Sequence, residues 1–324
     1  MRKLRLYKYE HAPGHVHDEI PGYEDSVPFS KVGIAEWCDL VGPDEAELFY
    51  CGQYNDKNNW LLNPECFEHY RGNESKHVFD LEGDSSEDFF HDWMRPAIIT
   101  AMNAEPNHRN WRCLVRPGCS MLLMDMVQNP RESTPAKRHG FYFRGQRDPY
   151  GVREKLRAAL RESGLPHQFE FMPNWNAPTP AGHADVRRYE AEMREWSVAL
   201  CPSGTGQMSV RYFEACALGR CPVVVADNLL FEDSAVPSMV GVRVDPSLTV
   251  KQMARRLGVL YESEAGVVAN GMLARSHFLA NVVPYFEDPT LYMLAWLQTR
   301  GLVDGDEWYK ELGAEISKFL EIFS

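Results

Sequence analysis

What this sequence lacks narrows it first. No apolar run approaches the ~20 residues that a bilayer-spanning helix needs. The opening stretch from Met1 to Glu10 alternates charged with apolar side chains, a strand pattern, where a signal peptide would need an unbroken apolar run. Both absences predict a cytoplasmic protein without a transmembrane segment. The eight cysteines include no Cys-x-x-Cys pair, so neither a zinc site nor a disulfide framework is expected and the thiols read as reduced and buried. No Asp-x-Asp pair follows a predicted strand, and no His/Cys cluster has ligand spacing, so no metal and no cofactor is expected. Asp80, Asp84 and Asp88 are loosely grouped, with the spacing of a solvated loop. Internal repeats and low-complexity tracts are absent too. Basic charge is in short supply: 34 Lys and Arg stand against 46 Asp and Glu. That balance argues against nucleic acid as a partner, because phosphate-backbone affinity rests on Lys and Arg.

What is present is a globular composition, 44% hydrophobic and 25% charged over 324 residues, enough for two domains. The charge is uneven. Residues 131–302 hold 20 Lys and Arg against 18 Asp and Glu, and the rest holds 14 against 28. The near-neutral half, with its arginines, can bind a small anion. The expected division is 1–130, 131–302 and a final segment 303–324, with Gln128–Lys137, polar and holding two prolines, as the linker.

The first 128 residues read as a mixed α/β unit with long loops. Strands are expected at Lys3–Tyr9, Glu45–Cys51 (followed by a polar turn, 52–56) and Lys76–Leu81, with later apolar pieces at Cys113–Arg116 and Met121–Met126. After the linker the period switches cleanly between strand and helix. Strands are predicted at Gly140–Phe143, Gln168–Met172, Ser197–Cys201, Pro222–Ala226 and Gly241–Val244. Helices are predicted at Tyr150–Ser163, Ala184–Trp196, Ser209–Leu218, Thr249–Ser263 and about Ala265–Val283. Strand–helix alternation of this kind predicts a parallel sheet covered on both faces. Ligands of such sheets bind at the carboxyl ends of the strands.

Three strand ends there carry ligand-like residues. Phe143-Arg-Gly-Gln-Arg147 offers Arg144 and Arg147 as a phosphate clamp, with a solvated turn as the alternative. Ser203-Gly204-Thr-Gly206 leads into Ser209-Val-Arg-Tyr-Phe-Glu214, where glycine N–H groups and a helix N-terminus suit an anion. Arg211 falls in the first helical turn, where the dipole disfavours a cation unless an anion is near. Glu214 could accept ribose hydroxyls; the alternative is a surface pair between Arg211 and Glu214. Asp227 follows the apolar strand Pro222–Ala226, with a turn or cap role as its alternative.

The run from Ser197 to Asp227 resembles the signature of exostosin-like glycosyltransferases, glycosyltransferase family 47: a strand, Pro-x-Gly, a Ser-x-Arg-x-x-Glu-Ala helix, then Gly-x-x-Pro-Val-Val and a polar turn. Phe141–Arg147 followed by Arg153 resembles that family's upstream phosphate segment. Leu4–Tyr9, Ala46–Tyr50 and Lys76–Asp80 resemble its first-half strands. The resemblance implies a GT-B fold, with two Rossmann-like domains facing a central cleft. It implies a nucleoside-diphosphate sugar donor, by expectation UDP-linked, and inverting, metal-independent transfer to a glycan or glycoconjugate acceptor. The membrane anchor, stem and second transferase domain of better-known members are not seen in this sequence. A base from the first domain would deprotonate the acceptor hydroxyl, with Asp56, Asp84, His15 and His17 as candidates. Trp60, Trp93 and Trp175 could stack on a sugar, or simply pack. Apolar residues at helical spacing from Trp308 to Phe323 predict a last helix, and the resemblance implies that it crosses back to the first domain. Two other readings stay open: a sugar-nucleotide epimerase of the same fold, and a non-catalytic glycan-binding protein.

Overall fold

The computed structural model describes residues 3–9, 29, 31–55, 62–82, 91–101, 112–115, 120–172, 180–204, 209–226 and 240–299. They divide between two compact units. The first takes the described residues up to Val115 and those from Pro284 on; the second takes 120–226 and 240–283.

The first unit is a sheet of six parallel strands in the order β2-β1-β3-β4-β5-β6. The strands are β1 (Leu4–Lys8), β2 (Cys38–Leu40), β3 (Leu48–Asn55), β4 (His77–Glu82), β5 (Ile98–Ala101) and β6 (Arg112–Val115). Alternation fixes β1, whose Leu4 and Leu6 are buried. The polar turn expected after Cys51 is instead a continuation of β3. Gly52, at φ 101°, absorbs a register shift against β4 between Tyr50 and Gln53, and the strand runs on to Asn55. Helix α1 (Lys31–Trp37) precedes β2.

The second unit is a parallel five-stranded sheet, ordered β11-β10-β9-β7-β8. Its strands are β7 (Arg138–Gly145), β8 (His167–Phe171), β9 (Trp196–Pro202), β10 (Cys221–Val225) and β11 (Val242–Val244). Its helices are α2 (Met121–Gln128), α3 (Val152–Ser163), α4 (Pro180–Glu195), α5 (Val210–Ala217), α6 (Val250–Glu262) and α7 (Glu264–His277). Local signals set their ends: Gly164 stops α3 at φ 66°, and Thr249 with Gln252 forms a capping box on α6. Phe141 and Phe143 of β7, Val198 and Leu200 of β9 and Val223 and Val225 of β10 pack on α3 and α6 in one core.

The apolar piece Met121–Met126 is a helix, α2, whose start is capped by Ser120 Oγ accepting from Leu123 N at 3.0 Å. It lies with the second unit, so the break falls ahead of the polar 128–137 segment. That segment is itself fastened to the second unit. Arg275 donates to Arg131 O, Arg194 to Glu132 O and Arg220 to Thr134 O.

After α7 come a π-helical turn (Phe278–Val282), α8 (Val283–Glu287) and α9 (Pro289–Thr299). Helix α9 joins the first unit, where Phe29 N donates to Thr290 Oγ1 at 3.1 Å and Trp37 Nε1 to Asp288 Oδ2 at 2.7 Å. The helix expected between 303 and 324 lies outside the described residues. Among the described residues no helix is long and apolar enough to cross a membrane.

Candidate functional site

In the second sheet the strand order reverses between β7 and β9, and in an open parallel sheet the ligand crevice lies at the carboxyl ends of those two strands. Strand β7 ends at Gly145 and β9 at Pro202, followed by Ser203 and Gly204. Ser203 is buried, and its N–H donates to Val225 O at 2.9 Å, which ties the end of β10 into the same edge.

Alternation along β7 separates the two arginines expected to clamp phosphate. Phe143 points into the α3 core, so its neighbour Arg144 points to the opposite face, toward α4. There the guanidinium, 4% exposed, lies among three carboxylates: Asp185 at 3.0 Å, Glu170 at 3.6 Å and Glu192 at 3.7 Å. Arg144 is thus already neutralised within the protein. Arg147 is exposed, bonded to Glu154 at 2.7 Å with its guanidinium 4.6 Å from the Phe171 ring centre.

Two other arginines occupy the strand ends. Each is the second residue of a helix, Arg153 in α3 and Arg211 in α5. Arg211 Nη2 donates to Arg144 O at 2.7 Å, and its guanidinium lies 4.5 Å from the centre of the Phe143 ring. It lies so close against Gly145 that a Cβ there would be 2.6 Å from Nη2. Arg153 mirrors it: Nη1 donates to Gln146 O at 2.7 Å, the guanidinium is 5.6 Å from the same ring, and a Cβ on Gly204 would be 2.6 Å from Nη2. Two cations therefore share one aromatic ring at the point where the strand order reverses. Arg211 Nε is buried without a hydrogen-bond partner, and no carboxylate lies within ion-pair distance of Arg211 among the described residues.

The two helix starts differ. Asp148 caps α3, its carboxylate oxygens accepting from Val152 N and Arg153 N at 2.8 Å each. Ser209 stands at the N-cap of α5, but its side chain makes no capping bond. Among the described residues no carboxylate accepts from the first N–H groups of α5, where the helix dipole would favour one.

Glu214 forms no surface pair with Arg211. It is buried, with one oxygen accepting from Ser120 Oγ and the other from Tyr189 Oη of α4, both at 2.7 Å. Burial, with the Glu214 carboxylate beside it, pushes the Tyr189 hydroxyl well above its ordinary pKa range and keeps it a donor. A ribose hydroxyl reaching Glu214 would share oxygens already bonded to these two groups.

Trp93 packs against Phe67, Tyr70 and Phe79 in the first unit, the packing role of the two considered. Asp56, Asp84, His15, His17, Trp60, Trp175, Gly206 and Asp227 lie outside the described residues. Among the described residues no three His, Cys, Asp or Glu side chains gather as a metal site would require.

No family model matches the sequence, and no curated protein matches it. Solved structures do. A glycosyltransferase from Rickettsia africae superposes with a TM-score of 0.39 at 10% identity, over 90% of this chain and 98% of that one. The pneumococcal O-GlcNAc transferase GtfA, in complex with UDP and GlcNAc, gives 0.32 at 9% identity; 66% of this chain covers 55% of that one, little more than half its length. A putative UDP-N-acetylglucosamine 2-epimerase from Listeria monocytogenes gives 0.34 at 9% identity, over 88% and 97%.

Proposed function

We propose that the second unit binds the diphosphate of a sugar nucleotide and that the protein is a glycosyltransferase of the GT-B type. One observation carries the reading: Arg153 and Arg211, each at the second position of a helix, converge on strand-end glycines where the strand order reverses. A cation in a first helical turn opposes the dipole, and two of them on one ring repel. An anion at this edge relieves both costs. The diphosphate would take N–H groups from the start of α5 and charge-assisted bonds from the two guanidinium groups, with Ser203, Gly204 and Ser209 lining its approach.

We further propose inverting transfer from a UDP-linked sugar to a glycan or glycoconjugate acceptor without a metal. A first-unit base, among Asp56, Asp84 and His17, would take the acceptor proton as its oxygen attacks the anomeric carbon. Charge then grows on the departing diphosphate, and Arg211, Arg153 and α5 would stabilise it.

The test is Arg211→Lys, which keeps the charge and removes the planar fork. One charge-assisted bond is worth about 1.5–3 kcal/mol, so turnover at saturating acceptor should fall roughly tenfold or more. Turnover within about twofold of wild type, a difference of only ~0.4 kcal/mol, would make Arg211 structural. EDTA should leave the activity nearly intact; loss on chelation, restored by Mn²⁺ or Mg²⁺, would overturn the metal-independent reading.

A further inference from the structure

Arg211 and Glu214 are three residues apart on α5, a spacing at which opposite charges on a helix can pair. In this structure they do not pair. Both Glu214 oxygens are occupied from outside the helix, by the Ser120 hydroxyl at the start of α2 and by the Tyr189 hydroxyl from α4. Ser120 is held in turn, because its oxygen also caps α2 through Leu123 N. Tyr189 is buried, and its ring centre lies 6.0 Å from the Arg211 guanidinium. One side chain therefore meets the arginine with its ring and the acid with its hydroxyl. The Nε donor of Arg211 is buried and has no hydrogen-bond partner.

We propose that Tyr189 is a positioning residue for anion binding: by holding the Glu214 carboxylate it keeps that acid out of hydrogen-bond contact with Arg211 and leaves the guanidinium open to phosphate. The proposal rests on the reading that Arg211 meets the diphosphate. It concerns a residue that does not itself touch the ligand. Helix α4, which carries Tyr189, also supplies Asp185 and Glu192 to Arg144, and the Arg144 carbonyl accepts from Arg211. Helix α4 thus acts on one guanidinium twice, orienting it through the Arg144 carbonyl and holding Glu214, the acid of that arginine's own helix, through Tyr189.

The experiment is a double-mutant cycle read by calorimetry, with inorganic pyrophosphate, UDP and uridine as probes. Tyr189→Phe keeps the ring and removes the hydroxyl; pyrophosphate and UDP should bind about tenfold more weakly, and uridine, which has no phosphate, should not change. Glu214→Gln should strengthen pyrophosphate binding far more in the Tyr189→Phe background than in wild type, because only there does the acid compete for Arg211. Equal gains in the two backgrounds, or an unchanged affinity in Tyr189→Phe, would overturn the positioning role while leaving the donor-site reading intact. A wild-type protein that binds neither pyrophosphate nor UDP would overturn both. Should Tyr189→Phe fail to fold, Ser120→Ala frees the other Glu214 oxygen and is expected to give the same pattern at smaller amplitude.

Discussion

Replacing Gly145 with Ala separates the binding role of Arg211 from its packing role. The added Cβ would stand 2.6 Å from Arg211 Nη2 and 3.1 Å from Phe143 Cζ. Gly145 has no positive φ, so the backbone accepts alanine without strain. The first contact is too short to persist, and the atom that gives way is the tip of a flexible side chain. Arg211 must swing off the Arg144 carbonyl, which gives up one hydrogen bond of about 1 kcal/mol. Losing a glycine's freedom in the unfolded chain returns about 0.4–1 kcal/mol. Folding stability should therefore change by less than about 1 kcal/mol. Affinity should change much more, because a displaced guanidinium forfeits a charge-assisted bond of about 1.5–3 kcal/mol, roughly ten- to hundredfold. The assay is UDP and pyrophosphate titration by calorimetry, with thermal unfolding of the same samples. Unchanged affinity in a protein of unchanged stability would show that Arg211 does not face the ligand, and the placement of the phosphate site would fall.

Two further expectations concern groups away from the ligand. Arg144→Met removes the buried cation shared by three carboxylates, of which Glu170 and Glu192 keep the exposed Arg188; a broken buried pair costs about 3–5 kcal/mol, but that second cation and the partial solvation of Glu170 and Asp185 reduce the loss expected in denaturant unfolding to about 2 kcal/mol, and a loss below about 0.5 would show that the cluster does no more than a surface pair. Burial pushes His77 and His277 down from an ordinary 6.5 to about 4, so between those values the unfolded chain binds protons that the folded chain does not, and each site should lose about 2 kcal/mol of stability as pH falls from 7 to 5; an imidazole titrating near 6.5 by NMR would refute the burial argument for that residue.

The second unit was largely legible because its signals are local. Strands β9 and β10 are short apolar runs close to Gly or Pro, and its helices carry their own punctuation, Gly164 and Thr249 among them. The first unit was less so. Strand β2 is a three-residue edge strand with Leu40 61% exposed, and β5 is four residues long, buried throughout and without alternation. Neither presents a period to read. The polar segment 128–137 looks like a linker in composition, but the arginines that fasten it, Arg194, Arg220 and Arg275, come from distant parts of the chain.

At the site, residue type was easier to read than direction. The motif that ends β7 holds arginines on either side of a glycine, a composition that suits a phosphate clamp. Period-two alternation already separates them: if Phe143 belongs to the core on one face, Arg144 belongs to the other, with α4 and its acids. Arg153 stands at the same helical position as Arg211, since both follow a valine that opens a helix after a strand flanking the order reversal, although Asp148 already supplies α3 with a carboxylate. Their shared place in the sequence, strand then valine then arginine, is legible without the fold. Tyr189 is not legible in this way. Residues that hold a binding group ready sit a layer behind it and come from another helix. Their role is visible only once Glu214, the acid expected to meet ribose, is seen bonded to Ser120 and Tyr189.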